Sequence, residues 1–162
     1  MTNSSATHPS VGHVHLRVAN LERAITFYRD VLGFDLTLRY GEQAAFLGAG
    51  GYHHHIGLNT WESRGATPPP PGHTGLYHSA FLYPDEAALA AVLRRIIDAG
   101  IAVDGAADHG VSRAIYLRDP DGNGVEIYVD RPREDWPRRD GNALNMVNAP
   151  FDLEAFLKEN PA

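Results

Sequence analysis

Apolar and polar residues alternate near the start of the chain. Val14, Leu16 and Val18 interleave with His13, His15 and Arg17, a period of two that predicts a strand with one polar face. The period then lengthens. Asn20 stands as an N-cap, with Arg23 where a full capping box would carry Glu or Gln. Leu21, Ala24, Ile25, Tyr28, Val31 and Leu32 follow at helical spacing, and Gly33 closes the helix. Asp35 to Arg39, Ala44 to Leu47 and His54 to Asn59 predict three more strands, parted by Gly41 and by the turn from Gly48 to Gly51. The order is β-α-β-β-β.

The same order returns further on: a strand over Leu76 to Leu82, a helix over Asp85 to Ala99 ended by Gly100, then strands over Ala102 to Asp104, Ala114 to Leu117 and Gly124 to Val129. Asp119-Pro120-Asp121-Gly122 supplies the chemistry of a tight turn before the last strand. Each unit has one apolar sheet face to bury, so tandem βαβββ modules predict an α+β fold in which a cupped mixed sheet surrounds a site. The expected organisation is an extended or disordered tail over 1–10, a first module over 11–62 and a linker over 63–75 that carries Pro68 to Pro71. A second module over 76–130 and a C-terminal tail over 131–162, with a short helix from Phe151 to Leu157, complete it.

Charge narrows the partners. A net charge of −6 argues against a nucleic-acid groove, and Arg131, Arg133, Arg138 and Arg139 are interleaved with Glu134, Asp135 and Asp140 as on a solvated surface. No apolar run approaches a membrane span and the first ten residues resemble no secretory leader, so a cytoplasmic location is expected. The absence of cysteine removes disulfides, thiolate metal sites and a thiol nucleophile. Nine histidines remain, and metal chemistry falls to imidazole and carboxylate.

Overlaying the two units sets His13 on His78 and Gly57 on Glu126, so the corners of a pseudo-symmetric site are His, Gly, His and Glu. Two imidazoles and one carboxylate suit Fe(II) with one face of its octahedron open, and Mn(II) fits the same donors. Gly57 is expected to leave room for substrate at the fourth corner. Any one of these histidines, taken alone, reads as a half-buried polar residue of a strand; the trio reads as a metal site because its members occupy matching ends of a repeat. His15 shares the face of His13 and is the alternative ligand. In the run His53-His54-His55, strand alternation allows at most two side chains on one face, with His55 on the face of Gly57. His55 is then an acid or base, or a member of a surface run. His109 and Tyr116 are placed to donate hydrogen bonds to a bound phenolate, Tyr116 also reading as plain core. Trp61, Phe81 and Tyr128 either wall the pocket or fill the core, and Arg113 is a substrate anchor or a surface charge.

Gly12 to Val18, Phe27 to Gly33, Leu76-Tyr77-His78 and Asp119 to Glu126 together resemble the vicinal oxygen chelate superfamily, which includes glyoxalase I, bleomycin-resistance proteins, fosfomycin-resistance enzymes and extradiol dioxygenases. The resemblance covers about residues 11–130. Within it, the run His53 to Gly57, the segment Asp108 to Ser112, and Tyr116 ahead of the Asp-Pro-Asp-Gly turn are most similar to short catechol 2,3-dioxygenases. That resemblance implies His13, His78 and Glu126 as ligands of Fe(II), His55 as the acid-base histidine, and His109 and Tyr116 as hydrogen-bond partners of substrate or intermediates. It implies a small aromatic diol and O2 as reactants, and it allows a homodimer. The rivals are a glyoxalase I-like lyase, which needs a further ligand at Gly57, a fosfomycin-type enzyme, which needs a basic pocket, and a metal-free binding protein.

Overall fold

The computed structural model describes residues 9–162, so the tail expected over 1–10 lies, apart from Pro9 and Ser10, outside the described residues. The first unit runs β1 (Val14–Arg17), α1 (Leu21–Thr26), β2 (Asp35–Tyr40), β3 (Ala44–Gly48) and β4 (Ile56–Asn59). The second runs β5 (Ser79–Leu82), α2 (Glu86–Asp98), β6 (Val103–Asp108), β7 (Ser112–Arg118) and β8 (Gly124–Asp130). Their sheets have the matching orders β1-β4-β3-β2 and β5-β8-β7-β6, each with one parallel pair, β1 with β4 and β5 with β8. This is a mixed α+β architecture.

The helix after β1 is not a single α-helix. Asn20 caps it, accepting from the Arg23 backbone N–H, but from Phe27 to Val31 the chain winds as a π-helical turn in which Leu32 N–H donates to the Phe27 carbonyl. The helical spacing in the sequence was sound, yet the wider turn pushes Tyr28 fully into the core, where its hydroxyl donates to Asp119 Oδ2 at 2.9 Å. The carbonyls freed at the helix end are taken by the second unit: Arg95 Nε donates to Val31 O and the Tyr83 hydroxyl to Leu32 O. In α2, Leu89, Ala90, Val92, Leu93 and Ile96 form the buried stripe, Asp85 is the N-cap, and Gly100 at a φ of 67° follows the helix end. Residues from both units make one hydrophobic cluster, including Ile25, Tyr28, Leu58, Leu93, Ile115 and Ile127.

The Asp119 to Asn123 turn does more than reverse the chain. Asp119, only 4% exposed, accepts from the backbone N–H groups of Asp121 and Asn123, from Asn123 Nδ2 and from Tyr28. Asp121 Oδ1 accepts from Ala19 N and Arg23 Nη2. The turn is therefore a polar latch between the units.

The C-terminal segment adds structure that its composition did not announce. β9 (Arg138–Arg139) and β10 (Ala143–Leu144) form a small antiparallel pair, and β11 (Ala149–Pro150) joins the edge of the second sheet beside β6. α3 (Leu153–Glu159) buries Phe156 in the main cluster, and Arg94 of α2 donates to the Leu157 carbonyl. Among the described residues, no helix is long and apolar enough to cross a membrane.

Candidate metal centre and its hydrogen-bonded flank

Strand pairing sets the geometry. In the first sheet His15 pairs with Gly57, and in the second Ala80 pairs with Glu126. His13 and His78 each lie two residues before those paired positions, so the two histidines are equivalent and Gly57 is the counterpart of Glu126. On the neighbouring strand Tyr116 stands opposite Glu126, on the same face.

These registers bring four side chains into one line. His78 Nε2 lies 2.9 Å from Glu126 Oε2, the Tyr116 hydroxyl 3.4 Å from Glu126 Oε1, and His109 Nε2 2.7 Å from the Tyr116 hydroxyl. His109 follows β6 directly, and its Nδ1 is 2.9 Å from the Val147 carbonyl. Burial, then the Glu126 carboxylate, pushes the Tyr116 phenol up to about 12, so it stays protonated at neutral pH.

His13 stands just before β1 of the other sheet and does not join this line. Its ring packs against His54 with centroids 4.5 Å apart, while His13, His55 and His78 line one cavity of about 520 Å³ at the seam of β1 and β5. Phe81 and Tyr128 wall the same cavity. Among the described residues, no three His, Asp or Glu side chains are gathered closely enough to hold an ion. The seam is not bridged by sheet hydrogen bonds, so strand pairing does not set the distance from His13 to Glu126. The donors still suit a divalent metal in kind. The 2.9 Å between His78 and Glu126 is the length of a direct hydrogen bond, and it also equals the roughly 2.9 Å that separates adjacent ligands held about 2.05 Å from an octahedral ion.

Three local expectations change. The room left by Gly57 is taken up: a Cβ there would sit 2.8 Å from Cγ of His15, so the glycine makes space for an imidazole rather than for substrate. β4 begins at Ile56, so strand alternation does not govern the three histidines before it, and His53 Nδ1 lies 2.7 Å from His54 Nδ1. Arg113 is occupied as a tie rather than free as an anchor, donating to Glu86 Oε1 at 2.9 Å and lying over the Phe151 ring. Trp61 is half exposed with its ring 5.8 Å from that of His15. Burial, then the nearby His13, lowers the pKa of His15 and favours its neutral form. His55 accepts from the Ala49 backbone N–H at its Nδ1, a long bond of 3.3 Å that leaves the ring proton on Nε2.

Neither His54 beside His13 nor the Val147 carbonyl beside His109 was singled out by sequence. His54 lay within the histidine run, whereas a backbone carbonyl carries no sequence signal at all. The pairing of His15 with Gly57 was readable in principle, from the parallel register of the two strands.

Two outcomes follow from this geometry. Gly57→Ala is expected to displace the His15 ring and to cost about 1–3 kcal/mol in a denaturant melt; a loss below a few tenths would mean the ring moves freely. The raised folded-state pKa of Tyr116 makes its contribution to stability complete below pH 10 and progressively lost as pH rises toward about 12. Tyr28 and Tyr83, both pushed up chiefly by burial, act in the same direction. Alkaline unfolding followed by circular dichroism should therefore begin above pH 10, and Tyr116→Phe should flatten its onset.

Residues 10–127 match the Glyoxalase/Bleomycin resistance protein/Dioxygenase superfamily. A catechol-2,3-dioxygenase of Bacillus subtilis is 42% identical over 151 residues, which cover 92% of this chain and 51% of that protein. A biphenyl-2,3-diol 1,2-dioxygenase of Rhodococcus globerulus is 32% identical over 122 residues, covering 75% of this chain and 64% of the relative. The chain thus spans about half to two thirds of the length of these relatives. Among solved structures, a glyoxalase/dioxygenase of Nostoc punctiforme superposes with a TM-score of 0.64 at 22% identity, over 82% of this chain and 98% of that one, a likeness of fold.

Proposed function

This chain belongs to the glyoxalase/bleomycin resistance protein/dioxygenase superfamily, and from that premise we propose that it is an Fe(II)-dependent extradiol dioxygenase that opens a catechol-type ring with O2. The observation that carries the proposal is the line His78, Glu126, Tyr116, His109, in which an imidazole and a carboxylate 2.9 Å apart continue into two hydrogen-bonding groups. The similarity to a catechol-2,3-dioxygenase over most of the chain supports the same reading.

His78 and Glu126 would hold the ion, with His13 as the third donor from across the shared cavity. When bound, the metal supplies the Lewis-acidic, redox-active centre that ring cleavage by O2 requires. The protein's own groups supply orientation and protons. Val14, Leu76, Phe81 and Tyr128 form the apolar part of the cavity that shields an aromatic ring from water. Tyr116, neutral throughout the physiological range, offers a hydroxyl beside the carboxylate ligand. His55, with its proton on Nε2, serves first as a donor to substrate oxygen; accepting a proton there requires it to release the Ala49 N–H. Both atoms of O2 enter the product as the carbon–carbon bond next to the diol breaks, giving a muconic semialdehyde type of compound.

The test is anaerobic loading with Fe(II), addition of catechol and then air, with oxygen uptake and the yellow ring-opened product followed together. Uptake matched by product supports the proposal. No uptake with catechol or its alkyl and aryl derivatives, in protein shown to have bound iron, overturns it.

A further inference from the structure

The segment from Trp136 to Pro150 crosses the His109 end of the line and is tied there at several points. Val147 N–H donates to the His109 carbonyl at 3.0 Å, and the Val147 carbonyl meets His109 Nδ1 at 2.9 Å. Next to it, a Cβ on Gly110 would lie 2.7 Å from Pro137 and 3.3 Å from Val147, so the strap lies directly on the loop that carries His109. The strap is itself fixed: Trp136 Nε1 donates to the Arg131 carbonyl, Asn145 N–H to the Pro137 carbonyl, β9 pairs with β10, and β11 pairs with β6.

A backbone carbonyl only accepts, so a 2.9 Å contact with it requires the proton on Nδ1. In a neutral imidazole the other nitrogen then has a lone pair, and at 2.7 Å that lone pair takes the Tyr116 proton. The Tyr116 hydroxyl has one proton and two neighbours, and the 3.4 Å contact with Glu126 is the weaker one. We infer that the C-terminal strap is a positioning element for the proposed ring-cleaving site: the Val147 carbonyl holds His109 in its Nδ1–H tautomer, which turns the Tyr116 proton toward His109 and leaves the phenolic oxygen as an acceptor. The strap thus gives the line one definite hydrogen-bond direction rather than a mixture.

The inference rests on the dioxygenase reading for its purpose but not for its test. Nitrogen-15 spectra of the imidazoles in the whole chain, without metal or substrate, should show His109 with a protonated Nδ1 and an unprotonated Nε2. This is the minor tautomer of free histidine, so its presence is diagnostic. An Nε2–H tautomer or a free averaged mixture at His109 would overturn the inference. Val147→Pro removes one of the two strap bonds and should move the His109 signals toward the averaged mixture. In the iron-loaded enzyme it should lower kcat about tenfold with KM little changed. A correctly folded Val147→Pro protein with unaltered signals and kcat would also overturn it. If that variant fails to fold, His109→Asn, whose side-chain amide can still reach the Val147 carbonyl, and His109→Gln, which can reach Tyr116 instead, replace it. The strap amide of Val147 should then keep its protection from hydrogen exchange in the Asn protein and lose it in the Gln protein; equal protection would count against the strap. A wild type that shows the Nδ1–H tautomer but cleaves no catechol would sink the function and leave the positioning role standing.

Discussion

Under the proposed function, Glu126→Gln should lose iron and ring-cleaving activity together, with kcat/KM falling by about 10³-fold, equivalent to roughly 4 kcal/mol of transition-state stabilisation. The substitution preserves shape. Glutamine keeps the length of the side chain and one carbonyl oxygen toward Tyr116, but it removes the negative charge that a divalent ion needs beside two neutral imidazoles. Metal content by elemental analysis should fall in parallel with oxygen uptake, and His78→Ala should behave alike because its Nε2 lies 2.9 Å from the same carboxylate. Tyr116→Phe keeps the ring and the ligands and should keep iron, losing about 10–100-fold in kcat. A Glu126→Gln protein that binds iron at full stoichiometry and turns over normally would remove Glu126 from the site.

The largest effect on folding is expected away from the cavity, at Asp119. Its carboxylate is buried and accepts four hydrogen bonds, one of them from the fully buried Tyr28 of the first unit. Asp119→Ala removes those acceptors and leaves the Tyr28 hydroxyl unsatisfied in the core, a combined cost of about 3–4 kcal/mol. For a chain of this size that lowers the melting temperature by about 10 °C. Tyr28→Phe, which loses only one end of the contact, should cost about 1–2 kcal/mol. Because the two share a bond, the double variant should be less destabilised than the sum of the singles. Additive losses, or an Asp119→Ala protein less than about 1 kcal/mol weaker than wild type, would show that the latch does not hold the units together.

Several features of the site could be read along the chain for definite reasons. Strands announce themselves by alternation and helices by a longer period, so the two β-α-β-β-β orders were legible, and with them the equivalence of His13 to His78 and of Gly57 to Glu126. Tyr116 stands opposite Glu126 because an antiparallel pair with a short turn has a register fixed within a few residues. The π-helical turn was not legible, since Tyr28 and Val31 fit a helical spacing equally well, and its contacts with Asp119 and Arg95 come from segments far along the chain. The three histidines before β4 were assigned alternating faces that a turn does not have.

What the sequence by itself determined is therefore local and periodic: two repeated units, the matching ends at which chemistry-bearing residues sit, and a donor set of imidazole and carboxylate in a chain without cysteine. The tertiary structure decided everything that depends on contacts between segments far apart. It set Glu126 and His78 at 2.9 Å, turned His13 toward His54, gave the space above Gly57 to His15, and laid Val147 on His109. The physical reason is that periodicity reports which face a residue occupies, whereas the meeting of two faces depends on how units pack. At the seam of β1 and β5, where sheet hydrogen bonds do not carry register across, that packing alone sets the distances from His13 to His78 and Glu126.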